Sequence, residues 1–134
     1  KFQRRLGPFQ VCDLNKAGPK PLLARFEKII SATRILVCGG DGTIGWVLGE
    51  LDQLTQVDEK PPVAVLPLGT GNDLARTLQW GGGYEGDESI GDILEQISNA
   101  PIVQLDRWIV SIDSTNDIDS STNDIDSSTN DIDS

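Results

Sequence analysis

Two short stretches carry residue types suited to phosphate and metal chemistry. One is Gly39-Gly40-Asp41-Gly42-Thr43, the other Pro67-Leu68-Gly69-Thr70-Gly71-Asn72-Asp73, and each follows an apolar run. Glycines let the backbone turn sharply and let a large anion approach closely. A helix opening at such a turn adds unpaired N–H groups and the positive end of its dipole. Asp41 narrows the choice of anion. A carboxylate beside a pyrophosphate is repelled unless a cation lies between them, which favours a magnesium nucleotide over a bare dinucleotide. Each loop also has a structural reading: Asp41 as the cap of a helix over residues 42–54, and Thr70-x-x-Asp73 as a capping box. Two adjacent loops of the same make, each with an aspartate at a strand's carboxyl end, read as two lips of one site.

Gly40-x-Gly42-x-x-Gly45 matches the glycine pattern of dinucleotide-binding folds. Such a site needs an acid roughly 20 residues further on, at the end of the next strand, to hold the ribose. Asp58 and Glu59 lie at that distance but precede the strand, which ends Leu66-Pro67-Leu68-Gly69 without an acid. Neither glycine cluster leads into the Gly-Lys-Ser/Thr of a P-loop. The chain has no histidine, so a Ser-His-Asp triad and a histidine zinc site are excluded. A catalytic base would have to be a carboxylate or a lysine.

The elements that position these loops follow from periodicity. Strands are predicted at Phe9–Leu14, Arg34–Cys38, Val63–Pro67 and Ile102–Val110. Helical spacing appears in Leu22, Phe26, Ile29 and Ile30 behind Pro19 and Pro21. It recurs in Ile44, Val47, Leu48 and Leu51, and in Ile90, Ile93, Leu94 and Ile97. Ser89-x-x-Asp92 caps the last helix and Pro101 ends it. Alternating strands and helices with short connections predict an α/β fold, a mostly parallel sheet with flanking helices. Ligands of such sheets bind outside the carboxyl ends of the strands. Three places qualify: after Cys38, after Leu66, and around Asp106, which alternation puts on one side with Gln104 and Trp108. Trp46 is expected to pack against the sheet. Trp80 and Tyr84 flank a triple glycine and suit either a lipid contact or a satellite cluster. Arg76 and Arg107 suit either phosphate or exposed ion pairs.

The 134 residues suffice for one domain with a modest core, and 37% are hydrophobic. No apolar run approaches the roughly 18 residues of a membrane span, and residues 1–10 lack a signal pattern. The net charge is −10, but six aspartates fall in Ser114–Ser134, three copies of STNDIDS, leaving −4 on the rest. That balance argues against nucleic-acid binding. One isoleucine per heptad builds no coiled-coil seam, so a disordered acidic tail is expected at 114–134, behind a domain at 1–113. The tail lacks the glycine of an EF-hand loop. Cys12 and Cys38 read as reduced, buried thiols of a cytoplasmic protein.

Taken together, GGDGT (Gly39–Thr43), PLGTGNDLAR (Pro67–Arg76), WGGGYEG (Trp80–Gly86) and LDRW (Leu105–Trp108) resemble the catalytic domain of eukaryotic diacylglycerol kinases. GGDGT alone is shared with sphingosine kinases; the ordered set is specific to the diacylglycerol branch. The resemblance spans roughly residues 1–110. It implies a Rossmann-like ATP-binding lobe that transfers the γ-phosphoryl of ATP to diacylglycerol at a membrane surface, forming phosphatidate. Gly39, Gly40, Gly42 and Thr43 would line the phosphates, with Gly69, Thr70, Gly71 and Asn72 as the second lip. Asp41 and Asp73, together with Asp106, would hold Mg2+, Asp41 and Asp73 being the catalytic pair. The family's N-P-x-S-G-G loop does not precede Phe9, and the β-rich second domain does not follow Val110. The expectation is therefore a partial catalytic region, inactive alone, with a non-catalytic regulatory or dominant-negative product as the alternative.

Overall fold

Parallel strands Ile35–Gly39 (β1) and Val63–Pro67 (β2) pair in register, Ile35 opposite Val63 and Gly39 opposite Pro67. The computed structural model describes residues 1–112 apart from Asp58 and Ile109, so the heptad tail lies outside the described residues. Before β1 come three short helices: α1 (Phe2–Leu6), α2 (Leu14–Ala17) and α3 (Lys20–Phe26), the last running into a 3-10 stretch over Glu27–Ala32. Helix α4 (Asp41–Asp52) crosses from β1 to β2; α5 (Asp73–Thr77) and α6 (Ile90–Asn99) follow β2. This is a mixed α/β arrangement with helices flanking a parallel pair. The chain divides into two compact units, Lys1–Val103 and Gln104 onward.

The period-two alternation of the strands builds two cores. Val37 and Val65 point into a cluster with Leu23, Ile30, Ile44, Val47, Leu51 and Ala75, joined by Ile35 and Val63. The opposite strand faces present Leu36, Cys38, Ala64 and Leu66 to Ile93 and Ile97 of α6. Fully burying residues such as Ile44 or Val65 contributes about 1.5–3 kcal/mol each. Ser89 caps α6 as its sequence predicts, its Oγ accepting from the Asp92 N–H at 3.1 Å. At the other end Arg34 Nη1 donates to the carbonyls of Ile97 and Ala100, satisfying groups a helix terminus leaves open.

Two predicted strands are absent among the described residues. Phe9–Leu14 instead contains a 3-10 turn, Pro8–Gln10, and the start of α2. Local turn chemistry overrides the alternation here: Pro8 has its φ preset for a helical first turn, and Asp13 caps α2 by accepting from the Asn15 N–H at 3.1 Å. Phe9 is 71% exposed, under the guanidinium of Arg25. The described residues of Ile102–Val110 have no regular structure; Ile102, Val103, Leu105, Trp108 and Val110 are all exposed. A strand exists only through a ladder, and the sheet of the described residues has only β1 and β2. Trp46 is also corrected. It is 47% exposed and lies over Gly18, where a Cβ would stand 2.9 Å from its ring, rather than against the sheet. Both cysteines are free but only half-buried.

Candidate phosphate site

Register places the two glycine loops side by side, because β1 and β2 end opposite each other. Leu68 N–H donates to Gly39 O at 3.3 Å, and Asp41 N–H donates to Gly71 O at 2.8 Å. The loops touch backbone to backbone. A Cβ on Gly40 would lie 2.6 Å from Gly71 O, and one on Gly69 would lie 2.8 Å from Gly40 Cα. These two positions need glycine because the partner loop fills the space a side chain would take. Gly39 is limited in the same way by Thr43, 2.8 Å from such a Cβ. Gly42 is different: it is exposed with open space above it, at the first turn of α4.

Asp41 joins the loops most directly. It is the first residue of α4, yet its carboxylate caps another helix. Oδ2 accepts from Asp73 N–H at 2.9 Å and Oδ1 from Leu74 N–H at 3.1 Å, at the start of α5. The predicted capping box is therefore replaced: Asn72 is the N-cap of α5, no side chain of that loop caps it, and Asp41 does so from across the cleft. Asp73 itself points outward, its side chain 90% exposed and paired to Arg76 Nη1 at 3.0 Å. Thr70 and Gly71 are exposed, Thr43 and Asp41 half-buried, and Asn72 is 1% exposed. The structure thus brings together Gly39 to Thr43 with Gly69 to Asp73. Asp106 and Arg107 belong to the second unit.

Sequence reasoning missed three contacts. The cap from Asp41 onto α5 was legible only as two similar loops. Nothing in the sequence signals that Asn72 Nδ2 reaches Gly82 O, 2.9 Å away, or that Tyr84 N–H donates to Pro67 O at 2.9 Å. Trp80 and Tyr84, for which the sequence allowed either a lipid contact or satellite packing, are both partly buried against the Ala64 cluster.

Paired glycine loops and an aspartate thus lie at the carboxyl ends of two parallel strands, the end at which lobes of the α/β class bind their ligands. The chain belongs to the diacylglycerol kinase catalytic domain family, whose model matches residues 1–106. It is 56% identical over 115 residues to "Probable diacylglycerol kinase 3" of Caenorhabditis elegans, covering 86% of this chain and 14% of the relative. Human "Diacylglycerol kinase iota" is 53% identical over 117 residues, covering 87% and 11% respectively. For human "Diacylglycerol kinase zeta" the figures are 57% over 103 residues, 77% and 11%. The chain therefore spans a small part of each relative's length. No solved structure was found to match it.

Proposed function

We propose that this chain carries the nucleotide-phosphate portion of an ATP-dependent diacylglycerol kinase. The observation that carries the reading is the Asp41 carboxylate bridging the two glycine loops, which fixes both at one strand end. The outward surface so formed consists of Gly42, Thr43, Thr70, Gly71 and Asp73, over which ATP phosphates would lie. Gly42 lets them approach the first turn of α4. There the Asp41, Thr43 and Ile44 N–H groups already donate to Gly71 O and Gly40 O, so the Gly42 N–H is the one that would meet a phosphate oxygen. Phosphoryl transfer needs mainly positioning, which the joined loops would supply, and charge neutralisation, which a bound cation would supply.

The donor set fits magnesium bound in nucleotide complexes. Mg2+ commonly takes one or two carboxylates and completes its shell with phosphates and water. Asp41 and Asp73 adjoin one another and are the two carboxylates on offer, and Asp106 is a further one proposed from the resemblance. Among the described residues no three of histidine, cysteine, aspartate and glutamate gather into a protein-only cage. When bound, magnesium would neutralise charge on the transferring phosphoryl group. Asp41 would keep both loops in place, and Asp73 would have to turn from Arg76 toward the cation. No helix of the described residues is long and apolar enough to cross a membrane. From the family resemblance, the lipid would be taken up by the whole protein at the cytoplasmic surface of a membrane.

The test is a chimaera in which residues 1–106 replace the matching region of diacylglycerol kinase iota. With Mg-ATP and diacylglycerol in mixed micelles it should form phosphatidate, and Asp73→Asn should lower the rate about a hundredfold. A folded chimaera that forms no phosphatidate contradicts the proposal.

A further inference from the structure

Asn72 lies in the second glycine loop, yet it is 1% exposed. Its Nδ2 donates to Gly69 O in its own loop and to Gly82 O, 2.9 Å away, in the segment Trp80–Gly86. Two carbonyl partners fix which end of the amide is the nitrogen. Its Oδ1 is buried without a partner, 3.7 Å and 3.6 Å from where a Cβ on Gly40 or Gly69 would stand. With both amide hydrogens bonded inside the fold, the Asn72 side chain has no donor left for a ligand. A buried acceptor without a partner is unfavourable, so what selects an amide here is its pair of donors.

The segment that Asn72 reaches is attached at two further points. Trp80 N–H donates to Ala75 O at 2.8 Å, closing α5, and Tyr84 N–H donates to Pro67 O at 2.9 Å. Trp80 packs on both cores and Tyr84 on one. Between these attachments the segment walls a cavity of about 270 Å³ with Leu66 and Pro67, at the same strand end as the glycine loops. Movement of the second loop therefore acts on the segment through the buried Asn72 amide at Gly82, beside the backbone bond from Tyr84 to Pro67.

We propose that Asn72 is a positioning residue that couples the Trp80–Gly86 segment to the paired glycine loops, rather than a residue that touches nucleotide. The coupling rests on the phosphate-site reading only for what drives it, since the bonds exist in the free chain. Aspartate is the discriminating replacement. It keeps the shape but sets carboxylate oxygens against two carbonyls.

Hydrogen exchange on the complete chain tests this. Without nucleotide, Asn72→Asp should speed exchange within 81–86 about tenfold at the Tyr84 amide, the one bonded there (to Pro67 O), while the Val37 and Val65 amides stay protected. Unchanged exchange at Tyr84 overturns the proposal. If Asn72→Asp also exposes the core, Tyr84→Pro decides from the other side. By releasing the segment it should speed exchange at residues 69–74, and no change there overturns the coupling. With Mg-ATP, the Tyr84 amide should slow in the native chain and not in Asn72→Asp; equal slowing in both overturns it. Mg-ATP that slows neither 39–43 nor 69–74 defeats the phosphate-site reading instead, and leaves the first comparison to judge Asn72.

Discussion

Gly40 shows how one residue type can be required for a reason different from the one its motif suggests. A glycine-rich loop is usually taken as room for phosphate, and Gly42 has such room. Gly40 instead meets Gly71 O and Gly69 Cα, so its missing side chain serves the contact between loops. Gly40→Ala must push a backbone carbonyl, which cannot swing away as a long side chain can. We expect it to destabilise the chain by about 1–3 kcal/mol, read as a lower urea midpoint. Gly42→Ala, facing open space, should change the midpoint little. Equal losses in both would show that the loops are not in contact. The acid within GGDGT was legible as a marker of this site from its position in the turn. Its cap on α5 was not, because a sequence shows which residues can accept hydrogen bonds and not which helix end will be folded beside them.

At the scale of elements, β1, β2 and the helices built on Ile44 and Ile93 were readable because their periodicity agrees with their local turn signals. Both failures arose where alternation stood alone. Phe9–Leu14 has apolar alternation, but Pro8 and Asp13 impose turns; Ile102–Val110 has it without a ladder partner among the described residues. Strand β1 carries its own test. Burial raises the Cys38 thiol above its ordinary value of 9.0, because the thiolate is poorly solvated between β1 and α6. The folded state then holds this proton to higher pH than the unfolded chain does. The thiol's contribution is fully present below the unfolded value and is lost as pH rises through the folded one. Between about pH 8 and about pH 10.5 the native chain should therefore lose more stability than Cys38→Ala. Identical slopes in urea titrations at the two pH values would show that the thiol titrates alike in both states.

For the whole molecule, the unit Lys1–Val103 is a lobe whose two glycine loops meet at one end of two strands. The dinucleotide and magnesium-nucleotide readings differ there in two respects: the ribose acid is missing and an aspartate stands in the turn. The fold supplies a reason for that aspartate even without ligand, since Asp41 holds the second loop. A cation brought with the phosphates would offset its charge. Residues 114–134 add six negative charges to the chain.

The central claim is that the joined loops bind a magnesium nucleotide, and a thermal melt of the chain by circular dichroism tests it most directly. A ligand that binds the native state raises the midpoint by mass action. Mg-ATP should raise it by several degrees, NAD should not, and the rise should vanish in Asp41→Ala at a lower starting midpoint. A cooperative melt moved by NAD alone, or unmoved by saturating Mg-ATP, would contradict the account.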